Sequence, residues 1–232
     1  MKTLLSSTLK GLLILGFAMT ALPCAAQEVK PVQDEIRPEP ASDPNRSRII
    51  EALNRGNLAE AEKLFSQFSN APGKAAAQSI KSFEEIAACG FYPQETRLEC
   101  IVNIKSTGGY GGAPTGRATH EFVSFWVDWD CSGSYSADEA VGLGIVHMHD
   151  EVAGAPPVWQ YAVYRDIDPP GSLSDKCFMR TGPGGNPVMT KTRTLTLNAR
   201  AILSWFAPVT SFNSVPVWGN VVNFRIRLDP IR

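Results

Sequence analysis

Apolar side chains recur every three or four residues between Asp43 and Ala87, then alternate with polar ones from Ile86 to the end of the chain. The period therefore changes from helical to extended, because helix faces repeat near 3.6 residues and strand faces repeat every two. The extended part resolves into Ile86–Tyr92, Arg97–Lys105, Thr119–Asp128, Ala140–His149, Val158–Ile167, Arg193–Phe206 and Val217–Leu228. Between them lie the Gly-, Pro- and Ser-rich segments STGGYGGAPTG, EVAGAPP, DPPGSLSDK and TGPGGNP. About seven strands with turn chemistry and no intervening helices predict a mainly β fold, an antiparallel Ig-like β-sandwich over residues 89–232. In Thr119–Asp128, Val123, Phe125 and Val127 share one face, and Phe122, Ser124 and Trp126 share the other. Leu195, Leu197, Ala199, Ala201 and Leu203 alternate against Trp218, Val222, Phe224, Ile226 and Leu228, and these two strands supply much of the expected core. Arg200, Arg225 and Arg227 fall on the opposite faces, as solvent-side or edge-protecting residues.

The helical part predicts a small appendage over residues 43–88. Asp43 is an N-cap with Pro44 at the first helical position, Ile49, Ile50 and Leu53 form a stripe, and Gly56 stands where a left-handed C-terminal cap belongs. Asn57 opens a second helix with Glu60 at capping-box spacing, and its face is Leu58, Ala61, Leu64, Phe65 and Phe68. Asn70-Ala71-Pro72-Gly73 stops it. Ala76, Ile80, Phe83 and Ala87 predict a third helix. The piece LNRGNLAEAEKLF resembles part of a tetratricopeptide repeat. No second copy occurs at the required period, and stacked repeats need neighbours, so an appendage that packs on the sandwich or on a partner is expected instead of a solenoid.

Composition adds a compartment. Residues 1–26 read as a signal peptide: Lys2 and Lys10 precede or flank the short apolar core GLLILGFAMTAL, and Cys24-Ala25-Ala26 offers cleavage before Gln27. The alternative is a lipoprotein anchored at Cys24, although Pro23 is a poor residue before a lipidated cysteine. Residues 27–42, polar with three prolines, form a flexible linker. Secreted or periplasmic localisation follows, with no stable membrane span after signal removal. Basic and acidic residues are mixed and the net charge is −1, so there is no basic stripe for nucleic acid.

Cys89, Cys100, Cys131 and Cys177 remain after the signal is removed, and four cysteines allow three pairings. In CGFYPQETRLEC a two-residue turn at Gln94-Glu95 pairs Tyr92 with Arg97 and sets Cys89 opposite Cys100. Cys131 would then pair with Cys177 by elimination, the alternative being that some thiols stay free.

Candidate chemistry concentrates after Trp126. Asp128-x-Asp130-x-Ser132-Gly133, closed by Glu139, fits a calcium-loop template, in which alternate positions turn oxygens inward and a glycine makes the bend. Asp128, Asp130 and Ser132 would give side-chain oxygens, Ser134 its carbonyl, Ser136 a bridging water and Glu139 both carboxylate oxygens. The competing reading is an Asp/Ser turn that caps its own backbone. A second candidate is His147 with His149, two apart on a strand, joined by His120 or Asp150 on Zn²⁺ or Cu²⁺; a solvent-facing strand end is the plainer alternative. No G-x-S-x-G elbow occurs, the carboxylate pair Asp166 and Asp168 runs into Asp168-Pro169-Pro170-Gly171, which reads as turn chemistry, and nothing favours an enzyme. Tyr110, in a glycine-rich loop, is a candidate ligand contact.

FWVDWDCSGSY, YAVYRDIDP, ARAILSW and PVWGNVVNFRIRL resemble a group of exported bacterial β-rich proteins, from about residue 86 onward. The resemblance implies a Gram-negative-like source and carries no activity. The Asp128–Glu139 loop also looks like the EF-hand or adhesin-type calcium loops of extracellular sandwiches. The expected function is a non-enzymatic binding or structural module, calcium-stabilised, with a protein or glycan ligand. Two alternatives stand beside it: a secreted metal-assisted hydrolase using His147 and His149, and an exported effector or inhibitor that docks a protein through its helices.

Overall fold

The computed structural model describes residues 43–69, 79–111, 119–150, 159–170, 173–181, 183–189 and 195–228. The signal and linker readings, the Asn70–Gly73 stop and Ala76 lie outside them. Helix α1 (Pro44–Asn54) begins where Asp43 Oδ1 accepts from the N–H groups of Asn45 and Arg46, at 2.8 and 3.1 Å. It ends at Arg55, and Gly56 takes φ +73°, the left-handed conformation that costs a glycine least. Helix α2 (Leu58–Ser69) starts on Asn57, whose side chain accepts from Glu60 N at 3.2 Å.

Among the described residues nine strands follow in antiparallel pairing: β1 Glu84–Tyr92, β2 Arg97–Ile104, β3 Thr119–Val127, β4 Ala140–Met148, β5 Trp159–Asp166, β6 Met179–Thr181, β7 Pro187–Met189, β8 Leu195–Trp205 and β9 Val221–Leu228. One sheet has the order β1-β2-β5, the other β4-β3-β8-β9, and β6 and β7 form a short ribbon. The expected β-sandwich and its principal strands are present. Its core draws on Leu98, Val102 and Ile104 from the first sheet and on Val123, Phe125, Val127, Leu197, Ala201 and Leu203 from the second, all buried. The outer face of β3 and β8 is covered as well. The segment after β8 crosses it, taking hydrogen bonds from Ser124 Oγ to the Val209 carbonyl (3.1 Å) and from Ser204 Oγ to that of Ala207 (2.7 Å), above buried Trp126 and Ile202.

Two expectations are corrected. The apolar spacing of Ile80, Phe83 and Ala87 is not a helix: β1 starts at Glu84, and Ile80 pairs with Trp218 as an isolated parallel bridge. Long-range pairing outweighs the local period there, since Ile80 N–H donates to the Val217 carbonyl at 2.8 Å and Lys105 N–H to that of Phe83 at 2.7 Å. The last strand begins at Val221 rather than Val217, because Gly219 at φ +107° turns the chain out of the ladder. Buried Asn220 then bonds across the sandwich, Oδ1 accepting from Ile86 N–H (2.7 Å) and Nδ2 donating to its carbonyl (3.1 Å). The helices pack on the sandwich, as one of the two expectations had it: Ile49, Ala52, Ala61 and Leu64 bury their stripes in the same core as the strands.

Candidate functional site

Strand β3 carries its register one residue past its end, where Asp128 N–H donates to the Asn198 carbonyl at 3.0 Å. That places the Asp128 carboxylate, 2% exposed, at the rim of the sheet. The chain returns to β4 through a single 3-10 turn, Ala137–Glu139, so the two ends of the loop sit side by side. Carboxylate oxygens of Asp128, Asp130 and Glu139 lie within 4.8 Å of one another. Backbone N–H groups hold them in place. Ser132 donates to both Asp128 Oδ1 and Asp130 Oδ1 at 2.9 Å, and Gly133 (φ +82°) donates to Asp128 Oδ2 at 3.1 Å. Glu139 Oε1 accepts from Trp129 and Asp130 (2.8 and 3.3 Å), and Oε2 from Ser136 (2.8 Å), which closes a capping box. Hydrogen bonds from Ser132, the side chain first, hold the Asp130 carboxyl below the usual range. The Ser132 hydroxyl donates to the Ser134 carbonyl at 3.1 Å, so the two serine positions of the template lie against each other.

Cys131, inside this loop at φ +55°, is bonded to Cys177, and Cys89 is bonded to Cys100 across the β1–β2 hairpin, in the expected register. The loop is thus fixed by a strand, a capping box and a covalent bridge. Three ionised carboxylates at this separation repel one another, and a cation among them would offset that repulsion. The trio could hold a metal ion.

The histidines group differently from their spacing along the chain. His120 on β3 stands directly opposite His147 on β4, with ring centroids 4.4 Å apart and planes at 64°. Burial, and then the nearby His147, pushes the His120 imidazole below its usual range. His149 lies beyond the end of β4 with its Nδ1 buried and unbonded, and Asp150 Oδ1 accepts from Tyr110 N–H at 2.8 Å. Strand alternation suggested the pair His147/His149, but cross-strand register makes it His120/His147, and Asp150 caps the glycine-rich segment instead of joining them. Both imidazoles line a cleft of about 630 Å³ between the helices and the β3–β4 edge, with Leu53, Leu58, Glu62, Phe65, Thr119, Phe206 and Pro208. Its size and apolar walls fall in the range of small-molecule pockets.

Tyr110 is no surface contact. It is 1% exposed and donates its hydroxyl to the Phe83 carbonyl at 2.6 Å. It belongs to a cluster that sequence reasoning missed. Arg46 of α1 is fully buried; Nη1 donates to Glu84 Oε1 at 2.8 Å, Nη2 to Glu121 Oε1 at 3.4 Å and Nε to the Gly109 carbonyl at 2.6 Å. Its guanidinium lies 4.1–5.0 Å from the ring centroids of Trp205, Phe83 and Tyr110. Burial raises the Glu84 carboxyl against the pull of Arg46, and burial and then Glu84 raise Glu121 well above the usual range. One guanidinium between two desolvated carboxyls is neutral when one of them keeps its proton, and burial favours the protonated form at both.

A signal for this cluster existed. Glu121 shares the strand face of Val123 and Phe125, Glu84 that of Ile86, and Arg46 precedes Ile49 by three on its helix, so each charge stands at a core position of its pattern.

No family model and no curated protein matches the chain. Among solved structures, the chain is similar to the β-glucosidase of Kluyveromyces marxianus in complex with glucose, at 12% identity and a TM-score of 0.27, over 64% of this chain and 14% of that one. The selenomethionine-labelled form of the same enzyme gives 11% identity and a TM-score of 0.26 over the same shares. Likeness at this level says nothing about activity. Among the described residues no helix is long and apolar enough to cross a membrane.

Proposed function

We propose that the chain is an exported, non-enzymatic binding or structural module whose sandwich is stiffened by one Ca²⁺ at the Asp128–Glu139 loop. The convergence of three carboxylates within 4.8 Å at the end of a core strand carries this reading. The donor set is entirely oxygen: the carboxylates, the Ser132 hydroxyl and the Ser134 carbonyl. Such a set suits a hard cation such as Ca²⁺ over Zn²⁺ or Cu²⁺, which take nitrogen and sulfur. The backbone donors fix the carboxylates without consuming both lone pairs of every oxygen, so a cation can add to the arrangement. The ion's role is to rigidify the loop, because the same carboxylates that would hold it also fix the loop backbone. Export agrees with the two disulfides, which persist in oxidising compartments. A protein or glycan ligand would meet the module at its loops. Ile49, Ala52, Ala61 and Leu64 of the α1 and α2 stripes are buried within the chain, which leaves Leu53, Leu58 and Phe65 at the cleft as the part an effector could use.

Terbium luminescence tests the reading, since Trp129 lies inside the loop and can sensitise a bound lanthanide. Emission that appears with Tb³⁺, is displaced by Ca²⁺ and is lost in Asp128→Ala and Glu139→Gln supports it. Emission unaffected by Ca²⁺ or by these substitutions refutes it.

A further inference from the structure

We propose a second metal site, for a borderline transition ion such as Zn²⁺ or Cu²⁺, formed by His120 and His147 with Glu62 as the third donor. It is independent of the oxygen-lined loop and takes a different class of ion.

The two imidazoles come from directly opposed residues of one antiparallel pair, so the sheet itself sets their separation. Two rings on one tetrahedral ion, with metal–nitrogen bonds of about 2.0–2.1 Å, have centroids roughly 5 Å apart. The observed 4.4 Å needs only a small opening of side-chain torsions. The rings are tilted at 64° rather than stacked, so their nitrogens can turn to a common point without a steric clash of faces. His147 is exposed and free to adjust, and His120 is half-buried against Phe122, which limits its rotation.

Glu62 lines the same cleft from α2 with an exposed side chain; its carboxylate does not already lie together with the two imidazoles and has to turn toward them to complete the site. The buried Thr119 hydroxyl accepts from Trp205 Nε1 at 3.1 Å. Three protein donors leave the fourth tetrahedral position open, as in sites that bind a further ligand. That position faces a cleft of about 630 Å³ walled by Leu53, Leu58, Phe65 and Phe206, large enough for a small molecule with an apolar body. Nitrogen donors select Zn²⁺ or Cu²⁺ and reject Ca²⁺. The ion would also tie α2 to the β3–β4 edge, so its binding should raise thermal stability.

The test is calorimetric titration of Zn²⁺ into the full chain, with imidazole ¹⁵N–¹H correlation spectra recorded alongside. One ion is expected per chain, and two of the three histidines should shift. His147→Ala, at an exposed position where folding is not at stake, and His120→Gln should each weaken binding by at least tenfold; Glu62→Gln should weaken it by several-fold. His149→Ala and Asp128→Ala should leave Zn²⁺ affinity unchanged, the latter separating this site from the calcium reading. Absence of Zn²⁺ binding in the wild type, binding that survives in the His120→Gln/His147→Ala double variant, or loss of binding in His149→Ala overturns the proposal.

Discussion

Arg46 and Glu84 form a fully buried ion pair at 2.8 Å, joining the first helix to the first strand. Neither side chain reaches water, so the pair holds only because its charges answer each other and three aromatic rings line the guanidinium. Removing the cation leaves a carboxylate with no partner in an apolar site. Arg46→Met should therefore destabilise the fold by about 3–5 kcal/mol in urea unfolding. Adding Glu84→Gln to it should restore part of the loss. A single variant within 1 kcal/mol of wild type, roughly the value of an exposed pair, contradicts the cluster's role.

Stability should fall as pH rises above the usual carboxyl range. Burial raises the carboxyls of Glu84 and Glu121, opposed by Arg46 from α1 and, at Glu84, by Lys105 beyond β2, with Tyr110 neutral beside them. A raised acid binds its proton more tightly folded than unfolded. Its contribution is complete below the unfolded pKa of 4.5 and is lost as pH climbs through the raised folded value. Glu121→Gln mimics the protonated form and should flatten the profile measured by thermal unfolding between pH 5 and 8. Parallel profiles for variant and wild type would falsify the assignment.

The two disulfides should differ in worth. Cys131–Cys177 closes 46 residues and Cys89–Cys100 closes 11. The chain-entropy relation gives about 4 and about 3 kcal/mol respectively. Paired Cys→Ser variants compared by urea unfolding should show that order, with loss of the longer bridge also weakening ion binding at the loop. Equal losses, or the reverse order, contradict it.

Asn220 stands in for a strand between the two sheets, bonding both backbone groups of Ile86. Asn220→Ala would orphan a buried N–H and a buried carbonyl, at a cost of about 2–4 kcal/mol. Faster amide exchange at Ile86 is the specific readout, and unchanged protection there rules the clamp out.

Much of the fold was legible because it rests on local rules. Alternation fixed the inward faces of β3 and β8, turn chemistry fixed the β1–β2 register with Cys89 opposite Cys100, and Asp43, Gly56 and Asn57 marked the helix ends. What failed involves partners distant in the chain. The Ile80–Ala87 spacing reads as helical until Trp218 and Asn220 claim it. His147 looked two residues ahead for its neighbour and found it across the strand, at His120. Tyr110 sits among glycines, yet a carbonyl at Phe83 and the Arg46 cluster draw it inside. The carboxylate loop is the intermediate case. Its spacing was explicit, and the close approach of Asp128 to Glu139 depended on the short return into β4.

The most direct measurement is calorimetric titration of Ca²⁺ into the ion-free chain and into Asp128→Ala, with Mg²⁺ as the control. One Ca²⁺ per wild-type chain is expected, with no binding in the variant and weaker binding of Mg²⁺, which demands stricter octahedral geometry. At a hundredfold excess over its Kd the ion should add about 2.7 kcal/mol to stability. No heat and no rise in Tm at millimolar Ca²⁺ would contradict the calcium-stiffened module.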